Sequence, residues 1–249
     1  MAMAIDHQAL IDEALHGSAR PLCTDHPSAL HPGYQPSLTC PVFDLAAADK
    51  LLEDNGWVTG PDGVRAKGKE RLEFEYSTTI LFTEYRIDVE AILQRNFRAI
   101  GIKLDIQNYA HSTFFNSFLP GGKASPPTGA VAGRYDIAEW ANFFGYDPDD
   151  SWILACDQIP PKGYNVDFYC NPALDALYKQ QLATADPGVR QQIFDQIHEI
   201  YLKELPFIVL FSLQNVALVH KGIHNYQFSP IAIAGETSIW EWWCDGGKC

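Results

Sequence analysis

RLEFEYSTTILFTEYRIDVEAILQRNFRAIGIKLDIQNY, Arg71 to Tyr109, carries the chain's clearest change of hydrophobic period. Leu72, Phe74 and Tyr76 alternate with charged residues, the period of a strand with one wet face. From about Glu84 to Ala99 the apolar residues fall at helical spacing instead. Ile87, Ala91, Ile92, Phe97 and Ile100 form the expected inward stripe, and Gly101 closes the segment. IKLDIQNY then returns to alternation. Strand, helix and strand joined by short links make a βαβ unit, which implies parallel strands and a right-handed crossover.

Downstream, STFFNSFLPGG reads as a short helix capped by Ser112, and RYDIAEW as a third strand. EWANFFGYDPDD, Glu139 to Asp150, is then the end of that strand and the loop beyond it. Open α/β sheets bind ligands at the carboxyl ends of their parallel strands. Trp140, Phe143, Phe144 and Tyr146 offer rigid apolar walls there, while Asn142 and Asp147 offer directional hydrogen bonds. Thr78 and Thr79, at the equivalent end of the first strand, bring hydroxyls to the same cleft. The competing reading puts some of these aromatics in the core and uses the threonines as caps. For Asp149 and Asp150 the cap reading, on the helix SWILA, is the favoured one.

Upstream, MAMAIDHQALIDEALHG predicts an amphipathic helix with Ile5, Leu10, Ile11, Ala14 and Leu15 on one face and Gly17 as its stop. No capping residue precedes Ala2, so the chain is expected to begin inside a helix, as a piece of something longer. Residues 18 to 43 hold Pro21, Pro27, Pro32, Pro36 and Pro41 and read as a surface wrap. DLAAADKLLEDNGW predicts a helix capped by Asp44, with Leu45, Ala48, Leu51 and Leu52 inward, and GPDGVRAKGK a hairpin tip. CNPALDALYKQQLATA and DPGVRQQIFDQIHEIYLKEL are two more helices, the second started by Asp186 and Pro187. FIVLFSLQNVALVH is apolar enough to predict a buried strand or strand pair.

Against 31 acidic residues stand 18 basic ones, a formal charge of -13 that excludes nucleic acid and anionic lipid as partners of the whole surface. No apolar run is long enough for a membrane-spanning helix, and the N-terminus has no secretory signal pattern. The six cysteines, at 23, 40, 156, 170, 244 and 249, fall in three close pairs. Local disulfides Cys23 to Cys40, Cys156 to Cys170 and Cys244 to Cys249 are favoured because short loops close easily, although sequence does not select one pairing. Reduced thiols are an alternative, as is a zinc set of Cys23, His26, His31 and Cys40, whose spacing is unusual for structural zinc. His220 and His224 read as surface histidines. No nucleophile elbow, metalloprotease helix or phosphate loop occurs, so neither catalysis nor a cofactor or metal is expected.

Five segments in order then resemble one family. They are AMAIDHQALIDEALHG, AAADKLLEDNGW, the strand-helix-strand ending FRAIGIKLDIQ, RYDIAEWANFFGYDPDD, and YCNPALDALYKQQLATADPGVRQQIFDQIHEIYLKELPFIVLF. Each is similar to a piece of the extracytoplasmic solute-binding proteins of the peptide/nickel type, the capture subunits of ATP-binding-cassette importers. The resemblance covers nearly the whole chain. It implies an α/β fold, one lobe of the type II periplasmic-binding-protein-like kind, with a mixed central sheet and helices on both faces. Residues 1–249 would be the C-terminal lobe of a two-lobe protein, with 225–249 a tail that packs on the missing N-terminal lobe.

The implied function is non-catalytic capture of a small-molecule or oligopeptide solute, this lobe forming one wall of the cleft, followed by delivery to a membrane permease. The implied location is extracellular or periplasmic, with the parent protein lipid-anchored or secreted. In members that bind peptides, a carboxylate shortly after the Trp of this element pairs with the ligand's amino group. Here that position is Asn142 or Phe143, which weakens the expectation of a peptide, although Asp147, Asp149 and Asp150 follow closely. Two other classes are a carboxylate-based hydrolase and an interaction module using Trp240, Trp242 and Trp243.

Overall fold

The two alternating segments between Arg71 and Tyr109 do pair in parallel, and the rest of the chain is arranged around them. The structure, a computed structural model, describes residues 1–24, 33–35, 37–79, 84–115, 135–141, 147–214, 216–227 and 239–247. The strands are β1 (Ala19–Arg20), β2 (Val58–Thr59), β3 (Arg65–Lys67), β4 (Glu70–Arg71), β5 (Glu73–Thr78), β6 (Lys103–Asn108), β7 (Ile137–Ala138), β8 (Ser212–Leu213), β9 (Ile223–His224) and β10 (Trp243–Cys244). The α-helices are α1 (His7–Ala9), α2 (Leu45–Asp54), α3 (Tyr85–Ala99), α4 (His111–Phe115), α5 (Ser151–Leu154), α6 (Pro172–Leu182) and α7 (Pro187–Glu204).

The central sheet has the order β6-β5-β7. Strand β5 runs parallel to β6 from Glu73 opposite Lys103 to Thr78 opposite Asn108, and parallel to β7 with Tyr76 opposite Ile137. All three strands therefore end on the same edge. Antiparallel pairing is confined to smaller sheets, β2-β3-β4, β1-β8 and β9-β10.

The main core joins this sheet to α3, α2 and the N-terminal segment, with Val89, Leu93, Phe97, Ile100 and Leu104 almost fully buried. At the N-terminus Ile5, Leu10, Ile11, Ala14 and Leu15 are buried as their spacing predicts, but the helix comes in pieces. A 3-10 turn at Ala2–Ala4 precedes α1, and one π turn follows at Leu10–Ala14. Asp6 causes the break: its carboxylate accepts from Ala9 N at 3.0 Å and caps a fresh start. A second core lies between α6 and α7 and takes in Ile153 and Leu154. Helix α7 starts where its sequence indicates, at Asp186 and Pro187, and α6 is capped in the same way by Asn171 ahead of Pro172.

Three expectations change. Leu51 of α2 is exposed, and the inward face of α3 is rotated from the predicted stripe. Ile87 and Ala91 face water, whereas Arg86, Val89, Glu90, Leu93 and Asn96 are buried. The apolar run after Pro206 is not a buried strand: it contributes β8, and then Val216 and Leu218 are 79% and 98% exposed.

Cys23 is bonded to Cys40 and Cys156 to Cys170. The first bond takes up both thiols of the zinc reading, while His26 and His31 lie outside the described residues. Cys244 is also in a disulfide; Cys249, its expected partner, is outside the described residues. None of the described helices is long and apolar enough to cross a membrane.

Candidate ligand-binding site

The shared edge where β5, β6 and β7 end is built on a buried polar network. Tyr76 lies on β5, Thr78 ends it, and Glu139 follows β7. The Tyr76 hydroxyl donates to Glu139 Oε2 at 2.7 Å, and Thr78 Oγ1 donates to the Glu139 carbonyl at 2.9 Å. The Glu139 amide in turn donates to the Ser77 carbonyl at 2.9 Å, extending the ladder one residue past β7. Arg86, in the first turn of α3, reaches in beside them. Its Nη1 donates to the Thr79 carbonyl at 2.7 Å and to Thr78 Oγ1 at 3.3 Å, and its Nε faces Glu139 Oε1 at 3.3 Å. One helical turn on, Glu90 accepts from Asn108 Nδ2, at the end of β6, at 3.2 Å.

Arg86 is 3% exposed, Glu90 5%, Thr78 0% and Thr79 2%, so the network is almost dry. Burial raises the Glu139 carboxyl above its ordinary range, held back by the Arg86 guanidinium and the Tyr76 hydroxyl and reinforced by Glu90. Burial likewise raises Glu90. Tyr76 is pushed well above its usual value by burial and by the Glu139 charge. The ion pair thus fixes the chain at the point where β7 opens into its loop.

Trp140 comes directly after this anchor and is half-buried. It packs, with Tyr135 and Ala138, against the buried pair Phe114 and Val166, which come from α4 and from the loop before α6. Thr78 and Thr79 stand at the strand end as predicted, but buried: they serve the anchor. Asp147 is engaged by a two-pronged contact from Arg190 of α7, Nη1 to Oδ2 at 3.0 Å and Nη2 to Oδ1 at 2.7 Å. Asp149 accepts from Ser151 N and from Gln181, tying the start of α5 to α6. Asn142, Phe143, Phe144 and Tyr146 lie outside the described residues. Among the described residues no group of three or more His, Cys, Asp or Glu gathers to hold a metal ion.

Residues 1–158 match the family model described as bacterial extracellular solute-binding proteins, family 5, middle region. The chain belongs to this family. Among family 5 relatives, it is 22% identical over 236 residues to a protein named di/tripeptide-binding protein 1 from Pseudomonas aeruginosa (strain UCBPP-PA14), covering 93% of this chain and 39% of that one. It is 26% identical over 234 residues to the glutathione-binding protein GsiB of Salmonella choleraesuis (strain SC-B67), covering 91% and 41%. The fold matches that of the oligopeptide-binding protein AppA from Bacillus subtilis, solved with a nonapeptide, with a TM-score of 0.78, 19% identity, and coverage of 98% of this chain and 46% of that one. The chain thus spans about two fifths of the length of the curated relatives it matches. The α/β, periplasmic-binding-protein class expected from the sequence is the class observed.

The anchor of this family 5 chain was missed by apolar periodicity, yet one signal was present. Arg86 and Glu90 are four apart and flank Val89 on the face that also carries Leu93. Charges interleaved with a buried stripe require partners, and those partners are the strand ends.

Proposed function

We propose that this chain forms one wall of the ligand cleft of a solute-binding protein that captures a peptide or another small solute without chemistry and delivers it to the permease of an ATP-binding-cassette importer. The observation that carries this reading is the dry Arg86–Glu139 anchor, which holds Trp140 half-buried beside Phe114, Tyr135 and Val166 at the common carboxyl edge of three parallel strands. A rigid aromatic wall at that place suits recognition by stacking and a few polar contacts. The names of the relatives, for di/tripeptides and glutathione, favour small peptides as solute. The other wall belongs to an N-terminal lobe, and the tail with Trp240, Trp242 and Trp243 packs on that lobe. The whole protein works outside the cytoplasmic membrane, secreted or lipid-anchored.

Calorimetric titration of the 249-residue chain with a dipeptide, a tripeptide and glutathione tests the reading. Half a cleft supplies about half the contacts, so dissociation constants should be weaker than about 1 μM. Trp140→Ala should weaken them a further 10-fold or so. Binding tighter than this by the chain alone, or binding indifferent to Trp140→Ala, would remove the one-wall arrangement.

A further inference from the structure

The loop between α5 and α6 forms one side of the Trp140 cluster, and it is held by more than a connection needs. The Cys156–Cys170 disulfide closes it. Inside it Asn165 is fully buried, and its Nδ2 donates to the Ala155 carbonyl at 3.0 Å and to the Tyr169 carbonyl at 2.7 Å. One carboxamide nitrogen thus bridges the two ends of the loop. The Asn165 amide donates to the Gln158 carbonyl at 2.9 Å. Gly163 comes so near Gln158 that a Cβ there would stand 2.7 Å from the same carbonyl oxygen. Phe168 adopts φ 54°, a left-handed conformation that a bulky residue takes only when its surroundings impose it.

Val166 follows Asn165 directly and meets the cluster. It is buried with Phe114 of α4, and Tyr135, Ala138 and Trp140 pack on that pair. Its carbonyl accepts the Tyr135 hydroxyl. Asn165 therefore bonds within the loop while its neighbour carries the outward contacts. The residue type matters, because two buried carbonyls need two N–H donors from one short side chain. An aspartate would set a charge against both oxygens, and an apolar residue would leave them without a donor. Backbone strain and dry polar bonding are kept together where a functional side chain must be held in one place. For Trp140 the Arg86–Glu139 pair fixes the preceding backbone, and Val166 bounds the side chain.

We infer that Asn165 is a positioning residue for solute capture: it fixes the disulfide-closed loop, and through Val166 it sets the place of Trp140. The inference rests on the capture reading and adds to it a residue that acts from behind the wall. A wall already in place spares the solute the cost of ordering it.

The test is a double-mutant cycle on the 249-residue chain, with Ala-Phe, Ala-Ala-Phe and glutathione as probes in calorimetric titrations. Near-ultraviolet circular dichroism checks that each variant is folded. Asn165→Ala should weaken binding about fivefold, a usual size for coupling between residues of one cluster. In the Trp140→Ala background the same substitution should change affinity by less than about twofold, because the group it positions is gone. A general loss of stability would instead lower affinity by one factor in both backgrounds. Where Asn165→Ala does not fold, Val166→Ala carries the same cycle, since it leaves every Asn165 hydrogen bond in place and shortens the side chain against which Trp140 packs. An equal loss in both backgrounds, or no loss in either, overturns the positioning role while the capture reading stands. If the wild-type chain binds none of the three probes, the capture reading falls and takes the inference with it.

Discussion

Arg86 serves two carboxylates at once. Its guanidinium faces Glu139 at 3.3 Å, and Glu90 lies one turn along the same helix face with one carboxylate oxygen, Oε1, left without a hydrogen-bond donor. The cluster therefore carries more negative than positive charge in a dry place, and the guanidinium is what makes ionised Glu139 tolerable. Replacing it by Met keeps the volume and strands the charge, with an expected loss of about 3–5 kcal/mol at pH 8. The pH dependence follows from the sign of the shifts. Glu139 and Glu90 titrate above their ordinary value of 4.5 when folded, so between the two values the folded state holds more protons than the unfolded one. That part of the stability is present at the acidic end of the window and is lost as pH rises through it. In Arg86→Met the Glu139 carboxyl rises further, so the penalty should shrink toward pH 5, as urea unfolding at pH 5 and pH 8 would show. An equal penalty at both pH values would mean that Arg86 acts through packing rather than charge.

At the level of elements, the loop before α6 is held by the Cys156–Cys170 disulfide, whose ends are 14 residues apart. A closed loop of that size stabilises a fold by about 3 kcal/mol, chiefly by restricting the unfolded chain. Cys156→Ser with Cys170→Ser should lower the unfolding free energy by about that amount. Urea unfolding of the double variant beside the wild type reads this difference, and an unchanged free energy would mean that the bridge does not restrict the unfolded chain. The sequence made the elements themselves legible wherever local chemistry decides: the caps Asp44 and Asp186, and the period change at Arg71 to Tyr109. It misled where a partner distant in sequence decides. On α3, Ile87 looked like core and is 51% exposed, because Arg86 and Glu90 turn the inward face toward the strand ends. Of the candidate site, the strand-end positions of Trp140 and the threonines followed from the alternation pattern, whereas nothing in the sequence singled out Glu139. Nothing in a sequence separates a solvated carboxylate from a desolvated one before the topology is known.

Across the whole molecule, the run after β8 shows the same limit in reverse. FIVLFSLQNVALVH has the composition of a buried strand, yet Leu213 is 44% exposed, Val216 79%, Val219 38% and Leu218 98%. Trp240 and Trp243, at 76% and 57%, add further exposed apolar surface in the tail. Isolated exposed apolar residues are ordinary, but four within seven residues of one segment make a contiguous apolar surface among the described residues. Under the proposed arrangement the cover is the N-terminal lobe, since the chain spans about two fifths of its curated relatives. Without that lobe, the hydrophobic effect acts on the same residues through other copies of the chain. Sedimentation velocity should then show association that grows with concentration between about 10 and 500 μM, the range in which surfaces of this modest size meet. Val216→Lys combined with Leu218→Lys should restore the monomer, because burying either ammonium group in such a contact costs more than the apolar area returns. These two positions lie outside the Trp140 cluster, so solute binding by the variant should be unchanged. A wild-type chain that stays monomeric over the whole range would deprive the exposed run of an interface role, leaving the covering lobe to be sought against another face.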